Sequence, residues 1–195
     1  MELREYYEEI KDCQLCGLAG SRTHLVFGEG NPKARIVFVG EAPGYYEDQQ
    51  GKPFVGAAGK LLTELLASVG LKREEIFIAN VLKCRPPENR DPKPEEIETC
   101  MPHLWKQLDL IRPKVVCTLG NFATQTLLGR KVGISKVRGQ HFQVRNFFVF
   151  PMYHPAASLH QGGLTEALRE DFRNLRDFLN KGLEPEPQPE QMGFF

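Results

Sequence analysis

Residues 34–44 read ARIVFVGEAPG. Ile36–Val39 is continuously apolar, rich in β-branched residues, and bounded by Pro32 and Gly40, the pattern of a strand buried on both faces. Such strands belong to parallel sheets covered by helices on two sides. The signal recurs as IFIANVL at 76–82, VVCTL at 115–119 and FFVF at 147–150. Helical patterns lie between and after them. Leu61, Leu62, Leu65, Leu66 and Val69 share a face over 57–69, closed by Gly70. Residues 94–111 open with Pro94 and carry Glu95, Glu96 and Glu98 near the positive end of the helix dipole. Shorter and longer helices are expected at 121–128 and 164–179, and a charged helix at 2–12. The alternation predicts an α/β fold, a three-layer αβα sandwich around a central, mainly parallel four-stranded sheet. Residues 142–144 either form a hairpin with 147–150 or leave that run as the fourth core strand.

The chain has 195 residues, 41% hydrophobic and 26% charged, a globular composition that excludes disordered, collagen-like and low-complexity classes for most of its length. No window approaches the ~18 apolar residues of a membrane span. MELREYYEEIKD at the N-terminus has no apolar leader core, so a cytoplasmic protein is expected. The formal net charge is zero but unevenly placed. Residues 1–12 carry five acids and two bases, and residues 183–195 carry Glu184, Glu186 and Glu190 with no base. The body is therefore basic, and residues 129–145 hold Arg130, Lys131, Lys136, Arg138 and Arg145 with no acid. This stretch is either a solvated loop or a patch that tracks phosphates.

Five cysteines, at 13, 16, 84, 100 and 117, are an odd set that argues against a disulfide framework. Cys13 and Cys16 form a CxxC pair, for which metal ligation, redox chemistry and plain burial all remain open.

In parallel sheets ligands gather at the carboxyl ends of the strands. After the first strand comes Gly40-Glu41-Ala42-Pro43-Gly44, a turn able to aim backbone N–H groups at a ligand, or an ordinary strand-to-helix turn. Phe54, in GKPFVG at 51–56, is a stacking platform or a core anchor. Asn80 is an amide inside an apolar strand, where it must find partners. His154 follows the fourth strand in PMYHPAASL at 151–159. Together these are the parts needed to hold a flat heterocycle and to stabilise charge on it.

The set GEAPG at 40–44, GKPFVG at 51–56, Asn80, KCRPPENR at 83–90 and HPAASL at 154–159, with cysteines at 13, 16, 84 and 100, closely resembles the family 4 uracil-DNA glycosylases. These form the iron–sulfur branch of the uracil glycosylase superfamily. The resemblance spans about residues 10–180. It implies excision of uracil from DNA by cleavage of the N-glycosidic bond, in base-excision repair, on a nucleotide flipped out of the helix. It further implies that Phe54 stacks on the uracil and that Asn80 reads its Watson–Crick edge. Glu47 would exclude the thymine methyl group, and the backbone around Gly40–Ala42 would bind a carbonyl. His154 would donate to uracil O2, and Glu41 would position or activate water. Leu159 is the wedge expected to fill the gap left by the flipped base, with Lys136 and Arg138 on DNA phosphates. Cys13, Cys16, Cys84 and Cys100 match the ligands of a structural [4Fe–4S] cluster, which spacing alone does not separate from zinc. One relative traps uracil DNA covalently through a histidine after the third cysteine. Here RPPENRDPKPEEIET at 85–99 has no histidine, so turnover is expected. A non-catalytic, cluster-containing damage sensor is the rival reading. A nucleotide-binding fold is weaker, because GEGNP and GEAPG lack the P-loop Lys-Ser/Thr and the GxGxxG spacing.

Residues 1–182 are expected to form one domain. LEPEPQPEQMGFF at 183–195 cannot build a core and reads as a flexible tether. Its end, Gln191-Met192-Gly193-Phe194-Phe195, resembles the peptide that docks on bacterial sliding clamps. A monomer associated with the nucleoid, with uracil-containing DNA and the clamp as partners, is the resulting expectation.

Overall fold

The computed structural model describes residues 1–182, 184 and 185; the proposed clamp peptide lies outside the described residues. The strands are β1 (Glu29–Gly30), β2 (Ile36–Gly40), β3 (Phe77–Asn80), β4 (Val115–Leu119), β5 (Phe142–Val144) and β6 (Phe147–Met152). They form one sheet in the order β1-β3-β2-β4-β6-β5. The four central strands are parallel, as the apolar runs require. Two short antiparallel strands, β1 on β3 and β5 on β6, close the edges. The expected four-stranded core is thus extended to six strands. Both alternatives for 142–150 are realised, since β6 is a core strand and also pairs with β5 across Arg145-Asn146.

Side-chain alternation divides the core. Val37, Val39, Ala79, Val116 and Val149 face α1 (Leu3–Ile10), α4 (Pro94–Ile111) and α5 (Asn121–Leu128). Ile36, Phe38, Ile78, Cys117 and Phe150 face α3 (Ala57–Ser68) and α8 (Gly162–Asn180). Shorter helices are α2 (Tyr45–Gln50), α6 (Ile134–Val137) and α7 (Pro155–His160). Strand β3 stops at Asn80, short of the expected Leu82. The Val81 and Leu82 amides still donate to the Gly40 and Glu41 carbonyls, but the chain there turns away toward Cys84. No helix among the described residues is long and apolar enough to cross a membrane.

Because β2, β3, β4 and β6 run the same way, their carboxyl ends share one edge of the sheet. There β2 delivers Gly40 and Glu41, β3 delivers Asn80, β4 delivers Gly120 and β6 delivers His154.

Candidate active site

Gly40 and Asn80 are opposed in the β2–β3 register. A Cβ on Gly40 would collide with Asn80 Oδ1 and would lie 2.8 Å from two Phe54 ring atoms. The glycine lets the amide and the aromatic ring close over one spot. Asn80 is 2% exposed, and its Oδ1 is buried without a hydrogen-bond partner. A buried acceptor left unpaired costs about 1–3 kcal/mol, which a ligand N–H would relieve. The Asn80 backbone is held from behind by Lys83, fully buried, whose Nζ donates to the Asn80 carbonyl at 2.7 Å.

Phe54 stands in a left-handed conformation (φ 52°), strained for an aromatic residue. Arg73 holds it there by donating to the Pro53 and Phe54 carbonyls. Gly59, at the start of α3, packs against the Phe54 carbonyl with no room for a Cβ. Glu47 completes the loop: its Oε1 accepts from the Val55 and Gly56 amides at 3.0 and 3.1 Å. Phe54 packs with the core and also lines the cleft.

His154 caps α7, its Nδ1 accepting from the Ala156 amide at 3.0 Å. Burial pushes the imidazole down to about 4. The ring is therefore neutral at physiological pH, and with Nδ1 accepting, its proton sits on Nε2. Gly120 (φ 89°) passes beneath it; a Cβ there would lie 3.2 Å from His154 Cβ. The Phe54 and His154 rings stack at 5.6 Å. Glu41 is pushed up to about 7 by burial and then by the nearby charge of Asp91.

Glu41, Ala42, Glu47, Phe54, Asn80 and His154 all line one cleft of about 400 Å³, with Pro86, Asn89, Arg90 and Ala157 among its other walls. Pro86, Asn89 and Arg90 belong to the KCRPPENR motif at 83–90, but carried no individual role from sequence. Leu159 is exposed on α7, the helix that contributes Ala156 and Ala157 to the wall.

The basic segment 129–145 is placed differently from its expected role. Arg138 is largely buried, its Nε 3.1 Å from the fully buried Asp171 and its Nη2 2.7 Å from Glu170. A guanidinium so paired has no charge to spare for phosphate, which corrects the expectation for Arg138. Asp171 also accepts from the Tyr153 amide at 3.4 Å, so the pair braces the residue before His154. Arg130 lies over Phe142, and Arg145 over Trp105 and beside Asp109. Lys136 is exposed.

Cys13, Cys16, Cys84 and Cys100, drawn from three separate segments, line one small cavity with Leu15, Arg22, Lys83 and His103. Arg22 Nη1 donates to Cys84 Sγ at 3.3 Å, and the Lys83 amide donates to Cys100 Sγ at 3.3 Å. Among the described residues no three His, Cys, Asp or Glu side chains are gathered closely enough for a single metal ion. Cys117 is buried in β4, apart from the four.

A carboxylate, an amide, an aromatic ring and a neutral imidazole therefore line one cleft, a donor set and a flat apolar face of the kind that suit a polar heterocycle. A model of the uracil DNA glycosylase superfamily matches residues 27–178, and the chain belongs to that superfamily. It is 48% identical over 185 residues to the type-4 uracil-DNA glycosylase of Sulfurisphaera tokodaii, covering 90% of this chain and 84% of that one. It is 49% identical over 187 residues to that of Archaeoglobus fulgidus (92% and 94% covered), and 45% over 178 residues to that of Thermotoga maritima (89% and 93%). These relatives place it in the type-4 branch.

The titrations carry a stability signature. Glu41, raised from 4.5 to about 7, binds its proton more tightly folded than unfolded, so its contribution to stability falls as pH rises across that window. His154, lowered from 6.5 to about 4, acts with opposite sign, adding stability as pH rises from 4 to 6.5. The two largely offset in the native protein. Glu41→Gln removes the first alone and is expected to stabilise the protein at pH 8 by on the order of 1–2 kcal/mol, allowing for the water that still reaches the carboxylate, with no gain at pH 4. Thermal unfolding at both pH values measures it.

Proposed function

We propose that this chain is a monofunctional uracil-DNA glycosylase that flips uracil out of DNA and hydrolyses its N-glycosidic bond, leaving an abasic site. The observation that carries the reading is the unpaired, buried Asn80 Oδ1 facing a cleft closed by Phe54 and His154. Uracil offers N3–H to that oxygen. Cytosine has no proton on N3, and setting two acceptors against each other in a buried site costs about 1–3 kcal/mol. Phe54 stacks on the ring. Glu47, fixed by the Val55 and Gly56 amides, is the wall that a thymine methyl group meets, and the Gly40–Ala42 backbone binds a carbonyl.

Bond cleavage leaves negative charge on the departing uracil and positive charge on the sugar. His154 Nε2–H is the donor for uracil O2, a neutral donor already oriented by its N-cap bond. Donors of this kind contribute on the order of 10²–10³ in rate. Ionised Glu41 orients the attacking water and offsets the sugar's charge. Leu159 fills the space the base leaves, and Lys136 serves as a peripheral phosphate contact.

A [4Fe–4S] cluster is the group proposed for the four cysteines, a reading supported by four thiols from three segments lining one small cavity and by two N–H groups donating to sulfur. Such a cluster joins the N-terminal turn, the segment after β3 and α4, a structural role. Residues 1–182 act as one catalytic domain and a monomer in the cytoplasm, at the nucleoid. Residues 183–195 are its tether, with Gln191, Met192, Phe194 and Phe195 docking on a bacterial sliding clamp and raising the enzyme's local concentration on DNA.

Single-turnover excision on a U·G duplex, with T·G and C·G controls, tests the function. Uracil release leaving alkali-labile sites is expected, with Asn80→Asp eroding discrimination against cytosine. A mobility shift without cleavage would establish a damage sensor instead. The same protein, purified anaerobically, should be brown and carry about four irons per chain; a colourless zinc protein would overturn the cluster. Deleting residues 190–195 is expected to abolish clamp pull-down and leave excision from naked DNA intact.

A further inference from the structure

Three large side chains exposed to solvent stand around the cleft: Tyr45 at 52%, Tyr46 at 61% and Leu159 at 48%. The two tyrosines open α2 directly between Gly44 and Glu47, both of which line the cleft. Their rings meet edge to face at 5.4 Å. Tyr46 lies toward the Phe54 loop, where a Cβ on Gly56 would come within 3.7 Å of its ring. Tyr45 lies toward the opposite wall, under the Arg85 guanidinium at 5.2 Å.

Arg85 differs from most arginines of this structure. Arg90, Arg138 and Arg145 each face a carboxylate. Among the described residues no carboxylate pairs with Arg85. It is nonetheless oriented, with its guanidinium over the Tyr45 ring and Nε donating to Asn89 Oδ1 at 2.7 Å. Glu88 and Asn89 are two successive left-handed residues (φ 55° and 54°), and Asn89 lines the cleft beside Pro86. An oriented cation with no counter-anion among the described residues, next to two solvent-exposed tyrosines, matches a nucleic-acid strand, which offers both phosphate charge and base faces.

We infer that Tyr45, Tyr46 and Arg85 form a grip for single-stranded DNA flanking the target base: Arg85 takes a phosphate beside the flipped nucleotide, and the tyrosines take the neighbouring unstacked base. The inference rests on the reading of the cleft as the uracil pocket. Duplex neighbours remain stacked on one another, so the tyrosines add little there. In a single strand the neighbours are free to transfer their stacking onto the protein. The grip therefore makes single-stranded or locally melted uracil DNA a favoured substrate.

The test uses the full-length protein on uracil oligonucleotides of one sequence, single-stranded and duplex, with binding measured across a salt series. Tyr45→Ala/Tyr46→Ala is expected to raise KM on the single strand about tenfold and on the duplex by less than about twofold. Arg85→Ala is expected to lower the salt dependence of single-strand binding by about 0.7 in log–log slope, one phosphate's worth. Arg4→Ala, which removes an exposed cation on α1, is expected to leave that slope unchanged. Equal effects of the tyrosine change on both substrates, no effect on either, or an Arg85 slope matching wild type would each overturn the grip. If the wild-type protein releases no uracil from either substrate, the reading of the pocket falls instead. If it does, and the variants match it, the pocket stands and the grip falls.

Discussion

One buried amide sets the terms for the rest of the site. Asn80 ends a central strand opposite a glycine, so that its side chain leans over Gly40 and against the Phe54 ring. Its carbonyl is tied to Lys83, and its Oδ1 is left unpaired in a place water scarcely reaches. A protein interior tolerates such an atom only where other interactions hold it. The parallel sheet provides that rigidity, and helices on both faces keep the sheet dry. The surrounding loops follow the same logic. Phe54 is held in strained backbone by Arg73 and Gly59, and Glu47 locks the turn beside it. A site so fixed before its ligand arrives loses little further entropy on binding.

The segment from Asn80 to Cys100 connects two centres. Lys83 donates its side chain to Asn80 and its backbone amide to Cys100 Sγ, and it lines the cysteine cavity. The four-cysteine site is therefore not a remote staple. A single residue, Lys83, links it to the amide that faces the cleft. His154 is supported comparably from the other side of the sheet, by Gly120 below and by the Arg138–Asp171 pair that holds Tyr153.

The parallel core was legible in the sequence because four runs such as IVFV and VVCTL admit few alternatives to a doubly covered sheet. The edge strand β5 was legible as a hairpin partner of 147–150, but β1 was not, since Glu29–Gly30 is only two residues long. Glu41, Asn80 and His154 could be named because they are polar groups at the carboxyl ends of apolar strands, and Phe54 because it stands in a glycine-bounded loop before a helix; Glu47, and the roles of all five, came from the resemblance. Arg138 was misplaced for a physical reason. A basic run looks the same whether its charges face solvent or face acids brought near by the fold, and Glu170 and Asp171 lie on a helix some thirty residues away. Arg85 and Tyr45 carried no periodic signal, and their partnership exists only once β3 and α2 meet at the sheet edge.

The central claim, that an unpaired Asn80 oxygen waits for one ring N–H, is tested most directly by calorimetric binding of the free bases uracil and 3-methyluracil to the wild-type protein. The two differ at the single position that Asn80 addresses. The account predicts that uracil binds and that 3-methyluracil, with no proton on N3, binds at least about tenfold more weakly. Equal affinity for the two would contradict it.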